Sequence, residues 1–349
     1  MYSIERAFDI YGKEVKLITI RNDRNMEVKL LNYGATLVEL LIPDRDGNIE
    51  NVVLTHDEIE DYISNPSYFG ATVGRTSGRI DKGRFVLDGK TYNLNKNYGV
   101  NQGHGGNKGF SFRVWDYSVS EKDGETAVQF TYYSKDMEEN YPGNLMVKVT
   151  YTLRSSNELV IEYEGATDKK TLCNLTNHTY FNLSGNYKRK ITKQYLKIKS
   201  KAYLEMNESQ IPIGKYIDVE ATPMDFSEFK LIGRDIEENY IQLSMTKGYD
   251  HTWILNEKYN QIEMVDKLSG RKMTISTTYP SVVIYSFNFP SNERLKQSKM
   301  SSKYDGICFE TQYEPDGINN KGFNSGILDV GEKYHEKTEY KFFVIEEMI

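Results

Sequence analysis

The sequence predicts an all-β protein, a large antiparallel β-sandwich with very few short helices. Three observations carry that expectation. Apolar and polar residues alternate with period two along most of the chain, β-branched and aromatic residues crowd those runs, and hairpin-type turn residues separate them. Successive side chains of a strand point to opposite faces, so such alternation marks a ribbon with one buried side.

Taken in chain order, Val15 to Ile20 and Glu27 to Leu31 alternate cleanly and read as the first strands. Asp46-Gly47-Asn48 supplies residues that tolerate the positive φ of a tight turn, as do Asp88-Gly89 and Asp123-Gly124. Ala127 to Tyr133 follows the last of these, and Leu145 to Leu153 and Leu159 to Tyr163 are two further strands joined by a polar connection over Arg154 to Glu158. Tyr195 to Lys199, Lys272 to Thr277 and Tyr340 to Ile345 complete the clearest set. Helical spacing is confined to Glu58 to Ser64 and Arg234 to Asn239. No Pro- or Ser-rich linker and no repeat of 20–50 residues interrupts the chain, so a single domain over 1–349 is expected.

Composition narrows the function. The 349 residues carry 44 Lys+Arg against 50 Asp+Glu, a net charge of -6, which lacks the basic footprint that phosphate backbones require. Lys188-Arg189-Lys190 is the one compact basic cluster and reads as a solvated loop. No apolar run approaches the ~18 residues of a membrane span, and the charged N-terminus lacks the apolar stretch of a signal peptide. A cytoplasmic protein without nucleic-acid or membrane partners is expected, as monomer or homodimer. The Asn-x-Ser/Thr matches at Asn174, Asn177, Asn182 and Asn207 are then chance. The only cysteines, Cys173 and Cys308, form no metal-binding spacing, so no metal is expected. With 27 Tyr and 15 Phe the chain can still bury a large core.

Chemistry-bearing residues cluster in a few places. The loop Gly103-His104-Gly105-Gly106 lacks the Gly-Lys-Ser/Thr ending of a phosphate cradle; it reads either as an irregular turn or as a loop presenting His104 and Arg79 to a ligand. Asn174 to Gly185, Gly248 to Trp253 and Gly306 to Gly317 interleave polar groups with aromatics. A sugar site requires that mixture: hydroxyls need paired donors and acceptors, and the C–H faces of the ring need aromatic platforms. His178 is either a hydrogen-bonded core histidine or a reactive one. Glu310 follows Ile307, Cys308 and Phe309, so its carboxyl is either paired with an Arg or held at raised pKa, the second marking catalysis. Asp250 beside His251 could equally be a surface pair. His56 and His335 lie in charged surroundings and receive no role.

A further set of segments stands out: Asn32-Tyr33-Gly34-Ala35-Thr36, Gly74 to Ile80, His104-Gly105-Gly106, Tyr141-Pro142-Gly143-Asn144-Leu145, Asn177-His178-Thr179-Tyr180-Phe181-Asn182-Leu183, Gly248-Tyr249-Asp250-His251, Glu310-Thr311-Gln312, and the closing Gly331 to Phe342. On these the chain resembles the aldose 1-epimerases, also called galactose mutarotases. These segments run in family order over nearly the whole chain. The resemblance implies the family's large β-sandwich, with the sugar in an open cleft on one face. It puts Glu310 at the general base, His178 at the general acid, Arg79 and His104 at sugar-contacting positions, and Asp250 where an Asp holds ring hydroxyls. Three positions depart from the family pattern: Gly78 stands where an Asn is common, and in Pro280 to Phe289 Val283 and Phe287 stand at the likely positions of a Gln and a Gly. These departures bear on which sugar is preferred.

The implied chemistry is reversible ring opening of an aldopyranose such as galactose or glucose, without a cofactor. Glu310 as carboxylate would take the C1 hydroxyl proton while His178, kept protonated by a neighbouring carboxylate, would protonate the ring oxygen. Strand alternation further places Gly306, Cys308, Glu310 and Gln312 on one face, with Cys308 packed beside the base rather than acting as a nucleophile. The alternatives are a non-enzymatic carbohydrate-binding sandwich, a mutarotase for a different aldose, a glycosidase using Asp250 with Glu310, and an epimerase for a phosphorylated hexose, which would want more cations than Arg79 and Arg75.

Overall fold

The computed structural model describes residues 1–346, which form three main antiparallel sheets. The first has five strands in chain order: Tyr2–Ile10, Lys13–Arg21, Glu27–Leu31, Thr36–Pro43 and Ile49–Asn51. The second has nine, in the spatial order Asp116–Lys122, Glu125–Ser134, Leu145–Leu153, Glu158–Thr167, Tyr334–Val344, Arg271–Thr277, Ile262–Asp266, Tyr195–Ile198 and Lys230–Leu231. The third has six, ordered Tyr180–Phe181, Ile307–Gln312, Ser281–Tyr285, Asp250–Ile254, Ala202–Met206 and Pro212–Asp218. The expected all-β sandwich is therefore present, and the turns at Gly47, Gly89 and Gly124 close hairpins with positive φ at each glycine.

The layers pack because each sheet carries one apolar face. In Leu145–Leu153 every second residue is buried: Leu145, Val147, Val149, Tyr151 and Leu153. They share a core with Trp253, Val282, Ile284 and Phe309 of the six-stranded sheet. Burying side chains of this size contributes about 1.5–3 kcal/mol each, so the stack is held chiefly by this interface. The other face of the six-stranded sheet is polar. Thr252 pairs with Val283 and Val283 with Glu310, while Asp250 pairs with Tyr285 and Tyr285 with Cys308. Period-two alternation thus sends Phe309 into the core and Cys308 and Glu310 to the opposite side. Both faces are covered, so all six residues of Ile307–Gln312 are buried.

Helix is scarce, as expected, but its placement differs. Glu58 to Ser64 contains a single 3-10 helix, Ile59–Ile63. Arg234 to Asn239 is not helical: Asp235 is held by Lys230 Nζ at 2.8 Å and Arg234 Nε at 2.9 Å, which folds the segment into turns. The α-helix is Ile241–Thr246, closed by Lys247 with φ of 55°. No helix among the described residues is long and apolar enough to cross a membrane. Asn174, Asn177 and Asn182 are buried, out of reach of a glycan.

Candidate active site

All five residues singled out from the sequence line one cleft of about 230 Å³ on the polar face of the six-stranded sheet. Each reaches it from a different element. Glu310 comes from the sheet itself, on the same face as Asp250 with the strand Ser281–Tyr285 between them. Arg79 lies in a two-residue ladder, Arg79–Ile80 against Gln102–Gly103, in which Gly103 pairs with Arg79. The residue after Gly103 is His104, so this ladder delivers both side chains together. Asn97 clamps the loop, accepting from Gly103 N at 2.8 Å and donating to Gly103 O at 2.9 Å and Gly106 O at 3.2 Å. A Cβ on Gly105, whose φ is +81°, would meet Gly74 O at 1.8 Å, so the loop can only close with glycine there. The segment is an irregular turn that needs its glycines, and it sets His104 and Arg79 on the wall of the cleft.

His178 is fixed by its neighbours on both sides. Its backbone N–H donates to Ala71 O at 2.9 Å and its carbonyl accepts from Gly70 N at 3.0 Å. Asn177 Nδ2 donates to Gly70 O at 2.8 Å and to Tyr151 Oη at 3.0 Å. The ring then meets Glu310, with Nε2 at 3.4 Å from Oε1, and Cys308, with Nδ1 at 3.4 Å from Sγ. Cys308 is accordingly beside the carboxyl–imidazole pair and fully buried. Tyr68, His104 and Tyr180 surround the imidazole with ring centroids 5.8, 5.3 and 5.1 Å away.

The electrostatics of the pair depart from expectation. Burial pushes Glu310 up from 4.5 to about 8, with the Asp250 charge adding to the rise and Arg79 opposing it. Burial also pushes His178 down, from 6.5 to about 4. The expectation that a neighbouring carboxylate keeps His178 protonated does not hold: near neutral pH the single proton of the pair sits on Glu310. Loss of water is larger here than the mutual attraction of the two groups, so the neutral arrangement is preferred over the ion pair. His104 is driven well below its usual range by burial, His178 and Arg79, and is therefore a neutral imidazole. Its Nδ1 is buried without a partner.

Two of the three sequence departures fall in the cleft. Val283 lines it beside Glu310. Gly78 lines it too, and its φ of +68° together with a Cβ position 2.8 Å from Pro315 Cβ accounts for the glycine. Phe287 does not reach the cleft; it is buried against Phe69 and Tyr180, with φ of 52°. Arg75 is also absent from it, spent on hydrogen bonds to Ser134, Lys135, Pro142 and Thr171. Arg79 is thus the one cation among the described lining residues. The sequence pattern does not single out Gln210, Tyr98 or Tyr68, which also line the cleft. Tyr98 lies under the Arg79 guanidinium at 5.4 Å. Among the described residues, His104, His178 and Glu310 form the one trio whose ligating atoms lie within 4.8 Å of one another. A zinc ion with bonds of about 2.0–2.2 Å would need them drawn closer.

The profile of the aldose 1-epimerase family matches residues 16–341. The chain belongs to that family. A galactose mutarotase of Rattus norvegicus is 37% identical over 337 residues, covering 95% of both chains. An aldose 1-epimerase of Haemophilus influenzae is 33% identical over 95% of this chain and 96% of its own. Among solved structures, a galactose 1-epimerase from Lactobacillus acidophilus superposes with a TM-score of 0.90 at 31% identity, covering 99% of each chain.

Proposed function

We propose that this aldose 1-epimerase family member is a cofactor-independent isomerase that interconverts the α and β anomers of a free aldohexose such as galactose or glucose. The observation that carries the reading is the buried carboxyl–imidazole pair, Glu310 Oε1 and His178 Nε2 at 3.4 Å, opening onto a cleft lined by Arg79, His104 and Asp250. Such a pair is the equipment ring opening requires: one proton leaves O1, another reaches the ring oxygen, and no electrons enter or leave.

The geometry supports the following roles. Glu310 and His178, 3.4 Å apart, together hold one proton. With the proton on His178, Glu310 takes the O1 proton as C1=O forms, the C1–O5 bond breaks, and His178 delivers its proton to O5. Rotation about C1–C2 turns the other carbonyl face to the hydroxyl, and closure returns both protons. Both tautomers of the pair have the same net charge, so converting the resting neutral form to the working one needs no proton from bulk water. Positioned acid and base groups of this kind contribute roughly 10²–10⁴-fold each. Arg79, with neutral His104 as a hydrogen-bond partner, holds and orients the sugar oxygens. Asp250, 3.5 Å from Arg79, is placed to accept from ring hydroxyls. Tyr98 and Tyr285 provide apolar platforms. Among the described lining residues a phosphate group finds only the Arg79 cation, which favours an unphosphorylated sugar.

The test is mutarotation of fresh α-D-galactose and α-D-glucose followed with wild-type protein, Glu310→Gln and His178→Gln. The proposal requires acceleration by the wild type and at least a hundredfold loss in both variants. Reducing sugar released from an aryl glycoside would instead identify a glycosidase.

A further inference from the structure

The two positions that depart from the family pattern in the cleft, Gly78 in a bend and Val283 on a strand, offer no polar side chain, so hydroxyl recognition on that side must be organised from elsewhere. The hairpin joining Ala202–Met206 to Pro212–Asp218 provides the group. At its tip Gln210 adopts φ of 58° and places its amide in the cleft. Its Oε1 accepts from Arg79 Nη2 at 2.8 Å. The same Nη2 is 3.5 Å from Asp250 Oδ2, so the amide, not the carboxylate, is the closer anchor of the guanidinium.

The tip itself is built to hold that amide still. Asn207 Oδ1 accepts from Ser209 N at 2.9 Å and Ile211 N at 3.1 Å, closing the turn. The base of the hairpin is tied to the α-helix: Met206 N donates to Gln242 Oε1 at 3.1 Å, and Gln242 Nε2 donates to Met206 O at 3.0 Å. Gln210 Nε2 donates to Met245 O of that helix at 3.4 Å, which orients the amide with its oxygen toward Arg79. A long, rotamer-rich arginine on an otherwise open cleft wall would lose considerable freedom on gripping a sugar; anchoring it beforehand removes that cost from binding.

We infer that Gln210 is a positioning residue for substrate recognition, holding Arg79 in its sugar-binding orientation from the hairpin side of the cleft. It acts through Arg79 and touches neither Glu310 nor His178, so its loss weakens binding without altering the chemistry. This inference rests on the epimerase reading for its substrate class.

The experiment compares wild type with Gln210→Met, which keeps size but removes the acceptor, and Gln210→Glu, which restores an acceptor at the same reach. Steady-state mutarotation of galactose and glucose is expected to show KM raised roughly tenfold in the Met variant, the loss of one hydrogen bond to a charged group, with kcat within twofold. The Glu variant should recover most of that KM, and all three proteins should melt within about 2 °C of one another. An unchanged KM in Gln210→Met, a fall in kcat of the same size, or no recovery in Gln210→Glu would overturn the inference. If the wild type fails to accelerate mutarotation, the epimerase reading fails, and calorimetric binding of galactose decides on Gln210 separately. A Kd raised in the Met variant and restored in the Glu variant supports the role; an unchanged Kd, or no galactose binding by wild type, overturns it.

Discussion

Replacing Glu310 by Gln should stabilise the protein while abolishing its activity. Burial holds the Glu310 carboxyl at about 8 against 4.5 for an ordinary glutamate. Because the folded value is the higher one, the folded state keeps a proton that the unfolded chain releases between those limits. The contribution of the neutral carboxyl is fully present below pH 4.5 and is lost as pH rises toward 8. At about 1.4 kcal/mol per pH unit, the loss amounts to about 3 kcal/mol at pH 7. Gln is neutral throughout and escapes it. With an unfolding entropy of about 2.1 cal/mol/K per residue over the whole chain, 3 kcal/mol corresponds to a Tm gain of about 4 °C. His178 moves oppositely: its value of about 4 means stability present above 6.5 and lost as pH falls through 4, an effect confined to lower pH. Calorimetric melting of both proteins from pH 5 to pH 8 tests this. The Tm difference should open from about 1 °C at pH 5 to about 4–5 °C at pH 7 and about 6 °C at pH 8. A flat difference across that range, or a variant less stable at pH 8, would refute the assignment of Glu310 as a desolvated carboxyl.

Three other outcomes follow. The rate parameter kcat/KM should form a plateau bounded by apparent values near the 4 of His178 and the 8 of Glu310, because only the singly protonated pair works; a profile still rising well above pH 9, after subtraction of the uncatalysed rate, would contradict it. Gly78→Ala should cost about 1–3 kcal/mol, since its Cβ meets Pro315 at 2.8 Å in a left-handed conformation, and a Tm equal to wild type would show that the loop relaxes freely. Cys308→Ala should leave turnover largely intact, because a thiol is a weak partner for His178 Nδ1 and backbone contacts already hold the imidazole; collapse to the level of Glu310→Gln would make the thiol essential.

Much of the fold was legible because alternation has a direct physical meaning. Glu27 to Leu31 and Leu145 to Leu153 coincide with observed strands, each having one face on a core. Ile307–Gln312 was legible in the same way: Ile307 and Phe309 go one way, Cys308 and Glu310 the other. The helix at Ile241–Thr246 was not, being too short for periodicity and lacking a side-chain cap. At the site, motif-bearing residues were visible, whereas Gln210 was not, since its role arises from a hairpin meeting Arg79 across 131 residues of chain. The resting position of the proton was equally invisible. It depends on how completely water is excluded around Glu310 and His178, a tertiary property no local pattern encodes.

The most direct test of the account is polarimetry of freshly dissolved α-D-galactose and α-D-glucose with wild-type protein and with Glu310→Gln. The account predicts faster decay to the same equilibrium rotation with wild type, and decay at the spontaneous rate with the variant. Decay at the spontaneous rate with wild type on both sugars, or full acceleration by Glu310→Gln, would contradict it.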